Sequence, residues 1–471
     1  MFKLLFKLVK LVIFLASLPF VLVAALALFR VGPAPQIDIQ SSRPGIGRQT
    51  AVLVKVSEPS RGLGTIKVEL LQEERTEMLA TKTHRPQHFW SFWGDKQAGE
   101  ELSVNVGRDA FPKLRPGEAT IRVTASRAGT WLRHPEPVVQ ELTLPVRFVP
   151  PTIERVAREV YLAQGGSEVV VYRVGETSVR DGVQAGDWFF PGHPLPGGGV
   201  RDRMALFAMP YDLADVSKVR ITAADDLGNV ASLQCVDKFF PKPFKEDKIP
   251  LNDAFMGKVV PEILSRTPEL REKESLLESY LMLNRDLRQT NAEKLKALAK
   301  DSPPEFLWRR TFLPIANAAV RSSFADRRTY VYEGKAVDQQ DHLGFDMASV
   351  KQAPIISVND GTVVLAEYFG IYGNTVIIDH GYGLMSLYGH LSSIAVQPNQ
   401  KVERGGLLGQ SGETGLAGGD HLHFAMLLQG LAVNPIEWWD EHWIRDRLAR
   451  KLGGAFPFEP GAPASAARRK R

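Results

Sequence analysis

Cysteine and histidine are both scarce in this chain of 471 residues. The single cysteine, Cys235, cannot form an intramolecular disulfide, and it excludes a zinc site built from several thiolates. Ten histidines are present, and six of them fall between residues 342 and 442. A metal site in this chain would therefore use imidazole and carboxylate ligands, and the histidine-rich segment is where to look for it.

Neither sign of charge is in large excess, since the formal net charge is +5. Part of it belongs to the terminal Arg468-Arg469-Lys470-Arg471, which follows a run rich in glycine, proline and alanine. We expect this tail to be solvated, with weak attraction to an anionic wall or membrane as the alternative. The sequence predicts no organised surface for nucleic acid.

One long apolar run stands near the N-terminus. Residues 11–29 carry no charge and follow Lys3, Lys7 and Lys10. At about 1.5 Å per helical residue the run is long enough to cross a bilayer. Positive charge before the span predicts a cytoplasmic N-terminus, so we expect a single-pass inner-membrane protein with its body in the periplasm or extracytoplasmic space. Ala25-Leu26-Ala27 leaves a cleaved signal peptide as the alternative.

The next part of the chain has the pattern of β-sandwiches. Short β-branched runs separated by glycine and proline begin near residue 35, break at Pro150-Pro151 and then begin again. AVLVKVSE at 51–58 is echoed by EVVVYRVGE at 168–176. This repetition predicts two tandem immunoglobulin-like modules. Their surfaces are the expected contact points for envelope protein partners.

Three tryptophans of the first module, Trp90, Trp93 and Trp131, admit two interpretations. They could form a platform that stacks on carbohydrate. Aromatic residues of sandwiches more commonly pack in the core or in loops, and we expect packing here.

Between residues 250 and 304 the pattern changes to helix. Thr267-Pro268 supplies a capping hydroxyl followed by proline, which is typical of a helix start. Thr290-Asn291-Ala292-Glu293 matches a capping box and predicts a second helix that ends near Lys300. We expect a helical connector that packs against the following domain as a spacer.

Strand patterns separated by glycine turns return after residue 306, as in GTVVLAEY at 361–368 and NTVIIDH at 374–380. The predicted fold is therefore mainly β and multidomain. Its predicted parts are a transmembrane anchor or signal (1–30), a first β-sandwich (35–149), a second β-sandwich (150–245), a helical connector (250–304), an antiparallel β domain (306–452) and a disordered basic tail (453–471).

The chemistry is concentrated in the last domain. GDHLHFA at 419–425 places two histidines one residue apart, so on a strand His421 and His423 face the same side. Upstream, HLGFD brings His342 within four residues of Asp346. One histidine of the pair together with His342 and Asp346 gives two nitrogen ligands and one oxygen ligand, a set that suits catalytic Zn²⁺ and leaves a position for water. A further imidazole, His390, ends the strand pattern LMSLYGH.

HLGFD, YGH and HLHF, with GETG at 412–415 before the last motif and VNP at 433–435 after it, resemble the lysostaphin-like or LytM-domain zinc metallopeptidases. The likeness covers about residues 312–439. It implies a small, largely antiparallel β-fold whose groove binds peptide, and hydrolysis of the peptide cross-links of bacterial peptidoglycan.

The resemblance assigns roles position by position. It makes His342, Asp346 and His423 the ligands of Zn²⁺, and it makes His390 and His421 the catalytic pair beside the reacting water. A neutral imidazole titrates in the range needed to accept and return a proton. His380 also lies where the family often has histidine, and we expect a structural role for it.

The chain departs from the family pattern beside the groove. Residues 416–420 replace the usual small hydroxyl and proline residues, and Ala425 stands where glutamate is common. Substrate preference is therefore open. Residues 330–341 are expected to add a lid or wall.

Three functions are compatible with these patterns. The first is a membrane-tethered peptidoglycan endopeptidase. The second is a non-catalytic LytM-type regulator that activates a cell-wall amidase, although such proteins tend to have lost metal ligands and all five site residues remain here. The third is an envelope scaffold whose sandwiches bind a partner. The sequence does not indicate which peptide bond is cleaved.

Overall fold

A computed structural model of the chain describes residues 2–156, 159–315 and 318–460. These residues form two compact units. The first consists of residues 1–151 with the short segments 177–179 and 224–230, and the second contains the remainder. Most of the predicted basic tail, residues 461–471, lies outside the described residues.

The first unit contains one long helix and seven strands. Their bounds are α1 Phe2–Phe29, β1 Gln36–Ser41, β2 Thr50–Ser57, β3 Leu63–Gln72, β4 Arg75–Thr83, β5 Gly99–Val106, β6 Gly117–Arg127 and β7 Val138–Val146. The strands form two antiparallel sheets ordered β1-β2-β5 and β4-β3-β6-β7. The mainly β fold is thus present, while the immunoglobulin-like assignment of this module stays a prediction.

The core of the first unit lies between its two sheets. In β2, Val52, Val54 and Val56 are buried whereas Ala51 and Lys55 are exposed. This alternation of period two is the reason the run forms a strand with one face on the core.

Helix α1 is almost entirely exposed and apolar. Its segment Phe6–Phe29 is long and apolar enough to cross a membrane, and a signal sequence would satisfy the same criteria. The expectation of packing is wrong for burial in the core, because Trp90, Trp93 and Trp131 are 52%, 77% and 62% exposed. Within its loop Trp90 does pack, since its ring lies 4.6 Å from those of His88 and Phe89.

The second unit begins with eleven short strands. Their bounds are β8 Ile153–Arg155, β9 Tyr161–Ala163, β10 Ser167–Val174, β11 Ser178–Ala185, β12 Trp188–Pro191, β13 His193–Pro194, β14 Asp202–Ala208, β15 Val219–Asp225, β16 Val230–Gln234, β17 Lys238–Phe240 and β18 Glu246–Pro250. Two four-stranded sheets are ordered β13-β14-β10-β8 and β12-β11-β15-β16, and β17 pairs with β9. Whether this part is a second immunoglobulin-like module also stays a prediction.

Three helices follow: α2 Asp253–Arg266, α3 Leu276–Met282 and α4 Arg288–Ala299, with the π-helical turn Leu283–Leu287 between α3 and α4. Both predicted helix starts are wrong. Thr267 ends α2, and the next helix begins after Ser275, whose side chain forms a capping box with Glu278. Thr290 lies inside the continuous helix, where its hydroxyl donates to the carbonyl of Asp286 at 3.0 Å. A threonine can satisfy its hydroxyl in this way without starting a helix.

The C-terminal part carries thirteen strands and three short helices. Their bounds are β19 Ala319–Ser322, β20 Asp326–Tyr332, β21 Lys335–His342, β22 Phe345–Ala348, β23 Pro354–Ile356, β24 Gly361–Tyr368, β25 Asn374–Asp379, β26 Leu384–Leu391, β27 Ser393–Ile394, β28 Lys401–Val402, β29 Leu407–Gln410, β30 Leu422–Leu428, β31 Leu431–Val433, α5 Pro435–Trp439, α6 Glu441–Ile444 and α7 Arg450–Leu452.

An eight-stranded sheet organises this part, in the order β19-β22-β30-β26-β25-β24-β28 with β31 paired to β30. Smaller sheets are ordered β23-β29-β27 and β18-β20-β21. Strands β26 and β30 are buried at every residue. Their near-continuous apolar runs fit a strand that is covered on both faces. The centre of this sheet is therefore a rigid place on which to mount side chains.

Packing extends past the predicted end of the domain at residue 452. Phe456 is 3% exposed, and its ring lies 4.8 Å from that of Trp308 and 4.6 Å from that of Phe306. The predicted disordered tail therefore cannot begin at residue 453.

Glu437 of α5 connects the C-terminal helices to β10. Its Oε2 accepts a hydrogen bond from the backbone N–H of Ser167 at 2.7 Å. Burial of the carboxyl group raises the pKa of Glu437 to about 8, although the Ser167 amide and the charge of Lys242 favour the ionised form. The surroundings of the Glu437 carboxyl group therefore disfavour its ionised form.

We expect Glu437→Gln to stabilise the protein at high pH and not at low pH. The folded-state pKa of about 8 lies above the ordinary 4.5, so stability falls as pH rises from about 4.5 to about 8. Glutamine keeps an oxygen acceptor for Ser167 and cannot ionise. The midpoint of thermal unfolding should therefore match wild type near the lower pH and exceed it near the upper one. The exposed carboxyl variant Glu403→Gln is the control, and a shift of Glu437→Gln that is equal at every pH would contradict this account.

Candidate metal centre

Strand pairing brings three of the predicted site residues together. Asp346 of β22 lies directly opposite His423 of β30 in an antiparallel pair. His342 is the last residue of β21, and only Leu343 and Gly344 separate it from β22. The two motifs HLGFD and HLHF therefore meet across neighbouring strands.

The donor atoms of these three side chains converge on one point. His342 Nε2 and Asp346 Oδ1 are 2.9 Å apart, His423 Nδ1 and Asp346 Oδ1 are 3.0 Å apart, and the two nitrogens are 3.1 Å apart. Two ligands of a tetrahedral zinc ion, each about 2.0–2.1 Å from the metal, stand about 3.3 Å apart. The three atoms are thus spaced nearly as a zinc ion requires.

The hydrogen bond at the other nitrogen of His342 sets which atom faces the cluster. His342 Nδ1 lies 3.0 Å from the backbone carbonyl of Ser323. A carbonyl can only accept, so Nδ1 carries the proton and Nε2 of the neutral ring presents a lone pair. Two imidazole nitrogens and one carboxylate oxygen are ligands that Zn²⁺ prefers, and the residues therefore fit this metal.

Gly344 lets the ring of His423 approach the backbone. A Cβ atom at position 344 would lie 2.7 Å from both Cε1 and Nε2 of His423. A side chain at this position would therefore collide with the ring of His423, which explains the glycine.

Arg328 of β20 holds the far side of the carboxylate. Its Nη2 donates to Asp346 Oδ2 at 2.7 Å, which leaves Oδ1 facing the imidazoles. The side chains of both residues are largely buried. An arginine in this place orients the ligand carboxylate and keeps it ionised.

His390 and His421 stand beside these three side chains. The ring centroids of the pair are 4.8 Å apart, and His421 Nε2 lies 3.5 Å from Asp346 Oδ1. Each Nδ1 is bound to a backbone carbonyl at 2.8 Å, that of Thr414 for His390 and that of Gly419 for His421. Each ring can therefore offer its Nε2 for proton transfer.

The backbone at His390 is strained. Its φ of +61° is uncommon for a residue with a side chain. Such conformations persist where the surrounding structure holds them, and they concentrate at functional sites.

The surroundings of these side chains shift their pKa values in different directions. Burial opposes ionisation of Asp346, yet the neighbouring imidazoles, above all that of His342, hold its pKa well below the usual range. Burial lowers the pKa of His423 to about 4 and, with the neighbouring rings, places that of His390 well below its usual value. Burial also acts on His421, but the carboxylate of Asp346 outweighs it and raises the pKa of His421.

His380 lies elsewhere, as expected. It is fully buried, and its nitrogens contact the backbone carbonyl of Asp360 at 2.7 Å and the hydroxyl of Ser386 at 2.8 Å. Both nitrogens are thus occupied by structural partners.

All five predicted site residues line one cavity of about 390 Å³. Leu416 and Gly418 of the departing loop also line it, and so does Tyr330 of the expected wall. Sequence reasoning missed the residues that other elements contribute, among them Phe255, Tyr280, Asn284, Arg288, Arg328 and Tyr372. The helical connector supplies the first four of these, and no motif in the sequence links it to the histidines.

Residues 340–435 match the model of Peptidase family M23, and this range contains all five site residues. The C-terminal domain is therefore of the M23, or LytM, type, as its motifs predicted. Zinc metallopeptidase activity is the general property of this family, and some members are inactive.

Two relatives share this part of the chain. Peptidoglycan DD-endopeptidase ShyA of Vibrio cholerae is 31% identical over 159 residues, which is 34% of this chain and 34% of the relative. DD-carboxypeptidase/endopeptidase Mpg of Neisseria meningitidis is 37% identical over 95 residues, which is 20% of this chain and 22% of the relative. The chain thus matches these relatives over about a third of their length or less.

Among solved structures, a putative peptidase M23 from Pseudomonas aeruginosa aligns with 60% of this chain and 96% of its own, at 22% identity and a TM-score of 0.36.

We expect Arg328→Gln to weaken Zn²⁺ binding about 10- to 100-fold, the usual result of removing a partner that orients a metal ligand. The affinity can be measured by competition with a chelating indicator. Arg327→Gln is the matched control, because Arg327 is an exposed neighbour that pairs with Asp341 at 3.3 Å. Equal zinc affinities of the two variants would show that Arg328 does not position the carboxylate.

Proposed function

We propose that this chain is a zinc-dependent endopeptidase that hydrolyses the peptide cross-links of bacterial peptidoglycan. The observation that carries the proposal is the convergence of His342, Asp346 and His423 in one cavity with the imidazoles of His390 and His421. The names of the relatives, which include a peptidoglycan DD-endopeptidase, support peptidoglycan as the substrate.

His342, Asp346 and His423 would hold the metal ion. Zn²⁺ bound there would polarise the scissile carbonyl and lower the pKa of a water molecule. His390 and His421 would share the remaining tasks through their Nε2 atoms. A neutral ring accepts the proton of the attacking water, and a protonated ring returns it to the leaving nitrogen or donates to the oxyanion. The backbone carbonyls that bind each Nδ1 keep both rings oriented for this.

We also propose that α1 tethers the enzyme to the inner membrane, with the body in the periplasm. The exposed apolar surface of the segment Phe6–Phe29 and the lysines that precede the apolar core of the span support this topology. The site then faces the compartment that contains the wall.

The complete donor set favours the enzyme over a non-catalytic regulator. A protein that only activates an amidase needs neither three converging ligands nor two further imidazoles with occupied Nδ1 atoms. Here the carboxylate ligand is additionally fixed by Arg328.

We expect His423→Ala and His421→Ala to lose activity for different reasons. His423→Ala should lose both zinc and hydrolysis because it removes a ligand. His421→Ala should keep stoichiometric zinc while the turnover rate falls about 10²- to 10⁴-fold, the usual contribution of proton transfer. Release of muropeptides from purified cross-linked peptidoglycan, with and without a chelator, and metal analysis of each protein are the measurements.

His134→Ala is the control, since His134 is exposed in the first unit. If wild-type protein carries stoichiometric zinc yet releases no muropeptides, the endopeptidase proposal is wrong and the regulator is favoured.

A further inference from the structure

The first unit exposes an unusual group of bulky apolar side chains, which we call the aromatic surface. Trp90, Phe92, Trp93, Trp131 and Leu132 are 52%, 66%, 77%, 62% and 45% exposed. Single exposed apolar residues are common, but several large ones on two adjoining loops mark a surface that contacts something apolar.

The first loop of the aromatic surface is fastened to the end of helix α1. Arg30, which follows the last residue of α1, donates from Nη1 to the carbonyl of Phe89 at 2.8 Å. Its guanidinium group also lies over the ring of Phe92, 3.7 Å from the centroid. Residues 89–93 therefore stand at the C-terminal end of the apolar helix.

The second loop is fastened to the same place. The hydroxyl of Thr130 donates to the carbonyl of Ala27 in α1. Arg61 donates from Nη1 to the carbonyls of both Arg30, at 2.8 Å, and Gly129, at 3.0 Å. Trp131 and Leu132 thus also adjoin the helix end.

A bilayer is the occupant that fits this position. Helix α1 is long and apolar enough to span one, and the level at which a spanning helix ends is the headgroup region, where tryptophan is enriched. Three exposed basic residues, Arg85, Lys96 and Arg133, lie on these two loops, against two exposed acidic residues, Asp95 and Glu136. Basic side chains at this level attract anionic lipid headgroups.

We propose that the aromatic surface of the first unit lies in the headgroup region of the bilayer that α1 spans. The loops then fix the orientation of the first unit on the membrane, which a single helix alone would leave free to pivot. This inference rests on the proposed membrane tether and is independent of the proposed hydrolysis.

Site-specific labelling of the full chain tests the contact. The only native cysteine, Cys235, is fully buried, so an environment-sensitive fluorophore attaches to an introduced thiol alone. Trp93→Cys carries the label on the aromatic surface. Val139→Cys is the matched control, because Val139 is 52% exposed in β7 of the same unit. Both proteins are reconstituted into phosphatidylcholine vesicles containing phosphatidylglycerol, with and without brominated lipid.

The label at position 93 should shift to shorter wavelength and be quenched by bromines near the headgroup more than by bromines at the chain ends, whereas the label at position 139 should do neither. Protein that floats with the vesicles while the two labels respond alike overturns the inference and leaves the tether standing. Protein that does not float with the vesicles overturns both. A shift at position 93 only after soluble envelope extract is added would replace the bilayer with a protein partner.

A second and independent observation concerns Arg288, which lines the cavity that holds the site histidines. Its guanidinium group donates to the carbonyl of Asn284 at 3.1 Å and to Oδ1 of the same residue at 2.7 Å. No carboxylate pairs with Arg288 among the described residues. By contrast, Arg285 on the same helical segment pairs with Asp338 at 2.9 Å.

Arg288 is therefore a half-buried cation with only neutral partners, held at the edge of a reaction cavity. Asn284, which orients it, is itself fixed by a hydrogen bond to Asp338 Oδ2 at 2.8 Å. An oriented guanidinium group that lacks a counter-charge is suited to bind a carboxylate with two hydrogen bonds. A peptide cross-link made through the side chain of a C-terminal amino acid leaves the α-carboxylate of that amino acid free.

We infer that Arg288 binds a free carboxylate of the substrate peptide and so selects the substrate. This inference rests on the proposed function. Arg288→Gln should raise KM for native peptidoglycan about 10- to 100-fold with little change in kcat. It should also abolish the preference of wild type for native over carboxyl-amidated peptidoglycan. Lys294→Gln removes an exposed charge from the same helix as the control.

Binding to the metal-free full chain separates this inference from the proposed function. Fluorescence anisotropy compares a labelled peptide ending in D-Ala-D-Ala as the free acid with the same peptide as the amide. If wild type binds the free acid more tightly than the amide and Arg288→Gln loses this difference, the result supports carboxylate binding by Arg288, even if no hydrolysis is seen. If wild type hydrolyses peptidoglycan but binds the acid and the amide with equal affinity, the inference about Arg288 is wrong and the proposed endopeptidase function stands.

Discussion

The antiparallel register of β22 and β30 is the constraint on which the site depends. It sets Asp346 directly opposite His423, while Gly389 of β26 lies opposite His423 on the other side. Side chains alternate between faces along a strand, so a slip of one residue would replace His423 with Leu422 or Phe424 beside the carboxylate. Strands β26 and β30 are buried throughout. The apolar pattern of the core therefore enforces the register, and the register fixes the positions of the site side chains.

The carboxylate of Asp346 then organises the charges. Its Oδ1 lies within 3.5 Å of a nitrogen from each of three imidazoles, and its Oδ2 binds Arg328. Burying an ionised group is costly unless hydrogen bonds and opposite charges compensate for it. A divalent cation at the convergence point would add attraction for the carboxylate and for lone pairs that otherwise face one another. Without a cation, this arrangement of buried groups is unfavourable in free energy. The same arrangement therefore makes the groups a selective set of ligands for a cation.

Sequence reasoning reached the local parts of this picture and missed the distant ones. The apolar strands and the spacing in HLGFD and HLHF depend on neighbouring residues, so periodicity was sufficient to place them. The wrong helix start at Thr267 shows the limit. Thr267 is the C-terminal cap of α2, where its backbone N–H donates to the carbonyl of Leu264, and the buried face of α2 packs with residues of the C-terminal part that are distant in sequence. The sequence around Arg328 and Arg288 does not indicate their roles, because each role depends on a strand or cavity formed by residues distant in the chain.

The helical connector changes what the region that matches Peptidase family M23 can bind. Its core includes Tyr330 and Ile371 of the C-terminal part, and Asn291 accepts the backbone N–H of Ile371 at 3.1 Å. Glu262 accepts that of Gly415 at 3.0 Å. The connector is thus a wall of the cavity and not a free spacer. Residues 340–435, the part that matches Peptidase family M23, contain none of this wall. The five predicted site residues belong to the shared domain, whereas the connector, which lies outside it, sets part of the shape and charge of the cavity.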